Sequence, residues 1–225
     1  MRVFIVYAHP SEDSFTRHAR DRFIAGLESA GHSYILSDLY RMNFKTDLDE
    51  AEYRREAFYR RETPPAEDVL REQEKINAAG AIVFIYPVFW TDAPAKLKGW
   101  FDRVWTYGFA YGENRTMKRL ERALVICSAG NTMEYFHRTG LLEAMKKVML
   151  NDRLFDRAKR KEMIVLDGTS REIPGRERNW DTHLERAFRA GAEIAGAGIA
   201  GAEPAEPAEN PAENPAAGAP EGGAL

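Results

Sequence analysis

Three segments of the chain concentrate groups that bind phosphates or flat rings. The first, residues 8–16, places His9, Ser14 and Thr16 at the start of a helical pattern. A helix N-terminus offers unpaired N–H groups and the positive end of a dipole, so hydroxyls gathered there suit a phosphate, with His9 as a further donor or cation. The same Ser14 and Thr16 also suit ordinary helix capping, and one residue can do both jobs. The second segment crowds Phe89 and Trp90 behind Pro87 and Val88 at the end of an apolar run. A flat heteroaromatic ring packs on such side chains while the N–H groups of a turn bond its polar edge. The third segment, residues 128–137, puts Gly130 where backbone can approach a ligand closely. Tyr135 and His137 follow as groups able to donate a proton or a hydrogen bond to an accepting oxygen.

These segments need a scaffold that brings them together. Val3, Phe4, Ile5 and Val6 form the continuous apolar run of a strand buried on both faces. Phe23, Ile24 and Leu27 mark a helix that ends near Gly31, and residues 33–38 read as a second strand. Residues 39–64, rich in Arg, Glu, Tyr and Phe, show weak periodicity and read as a long excursion holding one short helix. A helix carrying Val69, Leu70 and Ile76 leads into the strongest strand, residues 81–86. The pattern then predicts a helix over 95–105, a strand over 123–128, a helix over about 139–150, a strand over 163–166 and a last helix over about 178–199. Five strands alternating with helices imply one parallel sheet, and in such sheets ligands lie beyond the carboxyl ends of the strands. The three chemical segments are the loops after strands one, three and four. Residues 1–200 form one expected domain. Residues 201–225, a Pro-, Ala-, Glu- and Asn-rich repeat without an apolar face, read as a solvated, disordered tail.

Composition narrows the partners. With 32 Lys and Arg against 35 Asp and Glu, the net charge of -3 gives no electrostatic footprint for nucleic acid. No apolar run approaches the roughly 18 residues of a membrane span, and the first ten residues read as a strand rather than a signal peptide. The single cysteine, Cys127, supports neither a disulfide nor a cysteine-rich metal site; it reads as a small buried residue in a cytoplasmic protein, and no metal is expected. Neither G-x-G-x-x-G after strand one nor G-x-x-x-x-G-K-[ST] anywhere is present. A phospho-acceptor receiver domain needs an acidic cluster at the end of strand one, where Tyr7, Ala8 and His9 stand instead.

Within residues 87–103, Trp90, Pro94, Ala95 and the run Leu97-Lys-Gly-Trp-Phe-Asp-Arg103, together with Phe109-Ala-Tyr111 downstream, closely resemble the flavodoxin-like NAD(P)H dehydrogenase (quinone) family. Ala8-His9 and Ser14-Phe-Thr16 resemble its first loop. The resemblance, which covers roughly residues 1–170, implies a three-layer α/β sandwich with strand order 2-1-3-4-5 and helices on both faces. It implies a homodimer binding FAD, or alternatively FMN, with NAD(P)H as co-substrate. His9, Phe15 and Thr16 would lie near the flavin phosphates, Pro87, Val88, Phe89 and Trp90 along the ring system, and Ser128, Ala129, Gly130 and Asn131 would close the site. Tyr111 matches an acceptor-pocket position contributed across the dimer interface. The fourth loop departs from the family's Thr-Thr-Gly-Gly, and the next acceptor-pocket tyrosine is absent. The implied activity is ping-pong transfer of a hydride from NAD(P)H through flavin to a quinone-like acceptor. The alternative is a flavin-binding regulatory subunit or electron carrier, against which the near balance of charge speaks.

Overall fold

The computed structural model describes residues 1–205. Five parallel strands, β1 (Arg2–Tyr7), β2 (Ser33–Asp38), β3 (Ala81–Pro87), β4 (Leu120–Ser128) and β5 (Ala158–Leu166), lie in the order 2-1-3-4-5. This is the order the resemblance implied. A sixth strand, β6 (Glu203–Pro204), is added antiparallel to β5, opposite Glu162 and Met163. It falls at the start of the expected tail; the rest of that tail, from residue 206, lies outside the described residues.

The two faces of the sheet build separate cores. On one face Phe4, Val6, Phe84 and Val125 meet Ile76 of α3 (Glu67–Ala78) and Leu97, Trp100 and Phe101 of α4 (Ala95–Val104). On the other, Val3, Ile5, Val83 and Ile126 meet Phe23 and Leu27 of α1 (Phe15–Ser29) and Ala187 and Ala190 of α7 (Glu177–Ala192). Alternate side chains of each strand thus feed alternate cores, and that is why the strands read as unbroken apolar runs. Helices α1 and α7 cross almost in backbone contact. A Cβ added at Gly26 would lie 2.0 Å from the Phe188 carbonyl oxygen, and one at Gly191 would lie 2.1 Å from that of Phe23.

The excursion holds one short helix, α2 (Glu50–Ala57), opened by an Asp49–Glu52 capping box. Arg103 of α4, with 1 % of its side chain exposed, pins it. The guanidinium donates to Glu52 at 2.5 and 2.9 Å, to Asp68 at 2.5 and 2.9 Å and to the Lys45 carbonyl at 3.0 Å.

Two helices differ from expectation. The helix expected over 139–150 is α5 (Met133–Thr139), then α6 (Leu141–Lys146) and a π-helical segment (Lys147–Arg153). Gly140, with φ 72°, takes the left-handed conformation that separates α5 from α6, and apolar spacing alone does not reveal such a break. The last helix stops at Ala192 rather than 199, just before Ile194 and Ile199 turn into the core.

Candidate functional site

Loops at the carboxyl ends of β1, β3 and β4 surround a cleft of about 410 Å³. His9, Ser14, Phe15, Thr16, Pro87, Val88, Phe89, Ser128 and Gly130 line it, so the three segments singled out by their chemistry do converge. Ser14 caps α1 from extended backbone (φ -144°, ψ 149°), its hydroxyl accepting the Arg17 N–H at 3.2 Å. That bond leaves the Phe15 and Thr16 N–H groups at the mouth of the helix, where no intrahelical acceptor exists. Thr16 is buried, and its Oγ1 sits 2.7 Å from Ser128 Oγ, which ties loop one to loop four. The Ser11 backbone lies 3.0 Å from His9 Nδ1, so Nε2 is the nitrogen left for a ligand. Burial lowers the His9 pKa, outweighing the opposing hydrogen bond to Ser11.

Loop three is a tight reversal. Phe89 N–H donates to the Asp92 carbonyl at 2.9 Å and Asp92 N–H returns to that of Phe89 at 3.1 Å. The two residues between them, Trp90 (φ 52°) and Thr91 (φ 67°), both take left-handed backbone that non-glycine residues adopt at a cost of about 1–3 kcal/mol each. Arg153 holds the turn from below with two bonds to the Asp92 carboxylate, 2.7 and 2.9 Å. Burial pushes the Asp92 carboxyl up, but the Arg153 bond and the Ala93 N–H bring it below the ordinary carboxylate value. Among the described residues the Trp90 and Thr91 N–H groups meet no protein acceptor, nor do those of Gly130 and Asn131 in loop four. Other backbone groups of loop four are committed. Ala129 N–H bonds the Leu166 carbonyl at 2.9 Å, and the Asn131 carbonyl accepts from Gly168 at 2.8 Å.

Six of the expected positions lie apart from the cleft wall. Trp90 is 99 % exposed. Tyr111 packs in the aromatic loop before β4, its hydroxyl on Glu56. Tyr135 and His137 ride on α5; Tyr135 is half-buried against Phe136 and His137 is exposed. Ala129 is buried, Asn131 is exposed, and neither lines the cleft.

The loop after β5 and the first turn of α7 supply what the sequence reading missed: Thr169, Arg171, Arg176 and Trp180 also line the cleft. Trp180 stacks near Phe15 with ring centroids 5.3 Å apart, and the Arg176 guanidinium lies 5.4 Å from the Trp180 ring centroid. The buried Trp180 Nε1 has no hydrogen-bond partner among the described residues. The signal in the sequence is two arginines and a tryptophan around the start of a helix that follows a strand. With His9, His18, Arg171 and Arg176 against Asp13, the cleft carries donors and positive charge suited to a phosphorylated ligand.

Comparison with known proteins agrees with this geometry. The chain is 31 % identical over 175 residues to ribosyldihydronicotinamide dehydrogenase-like protein traD of Penicillium crustosum, covering 66 % of this chain and 65 % of that one. It is 32 % identical over 157 residues to the ribosyldihydronicotinamide dehydrogenase (quinone) of Pongo abelii, covering 62 % and 68 %. The chain therefore spans about two thirds of the length of these curated relatives. Among solved structures, an NAD(P)H:quinone oxidoreductase from Methanothermobacter marburgensis superposes with a TM-score of 0.82 at 46 % identity, covering 88 % of this chain and 98 % of that one. Residues 1–187 match the Flavodoxin_2 family model, described as flavodoxin-like fold, and the chain belongs to that family.

Proposed function

We propose that the protein is a flavin-dependent NAD(P)H:quinone oxidoreductase, and that the cleft holds FAD. The observation that carries this reading is the pairing of a phosphate-binding helix mouth with a cleft wall of Pro87, Val88, Phe89, Ser128 and Gly130, beside turns whose Trp90, Thr91, Gly130 and Asn131 N–H groups meet no protein acceptor among the described residues. A ring with several carbonyl and nitrogen acceptors on one edge would satisfy such donors together. A flavin held there would supply the two-electron chemistry that links NAD(P)H to a quinone.

The protein's share is binding, orientation and electrostatics. The Phe15 and Thr16 N–H groups, with Ser14, Thr16 and His9 beside them, bind phosphate. Arg171 and Arg176 extend the positive wall beyond the helix mouth and Trp180 adds an aromatic face, which favours a dinucleotide over a mononucleotide. Pro87, Val88 and Phe89 support the ring, and the Gly130 and Asn131 N–H groups favour negative charge on it. Because Tyr111 stands away from the cleft of its own chain, the acceptor pocket is completed by Tyr111 of a second copy in a homodimer. Tyr135 and His137, on the helix that follows loop four, are assigned as donors to the accepting oxygen. Tyr135→Phe and His137→Phe should each slow turnover, and unchanged turnover in both would remove them from the reaction. A cytoplasmic setting is supported by the single cysteine, Cys127. No helix among the described residues is long and apolar enough to cross a membrane.

Since both substrates would use one face of the same ring, steady-state plots at several quinone concentrations should be parallel. Intersecting lines would contradict a shared site.

A further inference from the structure

Glu56, near the end of α2, reaches to the aromatic loop before β4 and holds it at two points. Its Oε2 accepts the Tyr107 N–H at 2.8 Å and the Tyr111 O–H at 2.8 Å. Its other oxygen pairs with Arg55, whose guanidinium also donates to the Tyr107 carbonyl at 3.3 Å and to the Thr63 carbonyl at 2.7 Å. The rings reinforce the arrangement: Tyr111 meets Tyr107 edge-on at 5.7 Å, and Tyr107 lies 4.9 Å from Tyr59. Arg61 adds bonds to the Glu113 and Asn114 carbonyls at 3.5 and 2.9 Å. The excursion thus fixes where the loop lies and, through one carboxylate, which way a phenol proton points.

An ionised carboxylate only accepts. The Tyr111 proton is therefore committed to Glu56, and what its oxygen offers to anything else is lone pairs. We infer that Glu56 is a positioning residue that makes Tyr111 a hydrogen-bond acceptor toward the bound substrate, so that the acceptor pocket selects rings carrying an N–H or O–H donor. This rests on the placement of Tyr111 in the acceptor pocket proposed above. A freely rotating tyrosine could donate to a quinone carbonyl. Here a plain quinone brings only acceptors to an acceptor, whereas an amino- or hydroxy-substituted quinone brings the complement. Burial, followed by the hydrogen bond and charge of Glu56, pushes the Tyr111 phenol well above its ordinary value, with Tyr59 adding to the rise and Arg55 opposing it.

The test compares 2-amino-1,4-naphthoquinone with 2-methyl-1,4-naphthoquinone, which are close in shape and differ in the donor. The flavin-loaded full chain is used as wild type, Y111F and E56Q. The methyl-to-amino ratio of KM in the wild type should fall about tenfold in Y111F, the worth of one hydrogen bond. In E56Q, where the phenol can turn, the ratio should fall part of the way. Taking the ratio cancels the different reduction potentials of the two compounds and any general loss of activity. The second readout needs no turnover: the wild-type minus Y111F absorbance difference, followed against pH, should show Tyr111 ionising above an ordinary tyrosine, and E56Q should lower it part of the way, burial still holding it up. A ratio that is the same in all three proteins, or a Tyr111 that ionises like a free tyrosine, overturns the inference. If neither quinone is reduced, the proposed function fails and the selectivity falls with it; reduction of both without a change of ratio sinks only the selectivity.

Discussion

The turn at residues 89–92 and the ion cluster around Arg103 lie close in sequence and solve opposite problems. In the cluster each guanidinium nitrogen meets an oxygen: two carboxylates and a carbonyl converge on one buried cation. In the turn, two residues bear left-handed backbone while their N–H groups meet no protein acceptor among the described residues. Closed polar networks secure a fold, whereas strained segments that keep their donors open are what a ligand site requires. The contrast separates the half of this aromatic stretch that builds the molecule from the half that borders the cleft.

The sharpest way to break the comparison is Arg103→Met. It leaves the Asp68 carboxylate without its cation and Glu52 with Lys45 alone, and should destabilise the protein by about 3–5 kcal/mol in urea unfolding. Flavin affinity of the molecules that remain folded should be unchanged. Arg176→Met should do the reverse. Loss of a charged hydrogen bond to phosphate, about 1.5–3 kcal/mol, weakens flavin binding roughly 10- to 100-fold by fluorescence titration, while the unfolding midpoint of the flavin-free protein hardly moves.

Thr91→Gly sharpens the comparison from within the turn. Glycine takes positive φ freely, so the flavin-free protein should gain about 1 kcal/mol of stability. A looser turn should bind flavin several-fold more weakly, and calorimetry of both forms measures the two effects. If stability and affinity fall together, the strain is not held for the ligand.

The smallest effect is on pH. The hydrogen bond from Arg103 holds the Asp68 carboxyl below its ordinary value against burial. In Glu52 burial pushes upward, but bonds from Arg103, the Asp49 N–H and Lys45 win and the net shift is downward. Groups with depressed folded-state values stabilise fully above their ordinary values, near 4, and lose that contribution as the pH falls through the folded ones. Wild-type stability should therefore decline below about pH 4 more steeply than that of Arg103→Met, as thermal unfolding across pH 2–6 would show.

Much of this was legible in the sequence because the sheet is buried on both sides. Strands such as Val3-Phe-Ile-Val6 and Ala81-Ile-Val-Phe-Ile-Tyr86 have no solvent face to dilute the apolar signal, and the loops that follow them inherit a fixed place at the sheet's end. Other features depend on contacts distant in the chain. Nothing local marks Glu56 as the partner of Tyr111, 55 residues on, nor Arg176 and Trp180 as neighbours of Phe15. The exposure of Trp90 was also out of reach, since an aromatic residue beside an apolar strand end reads as packed, and only the backbone of the turn shows it directed outward.

The central claim is that the cleft formed by the first, third and fourth loops binds a phosphorylated flavin. Flavin-stripped protein titrated with FAD should quench flavin fluorescence to a sharp end point at one FAD per chain and turn yellow on desalting. Protein that stays colourless after incubation with excess FAD or FMN, with no saturable quenching, would contradict the account.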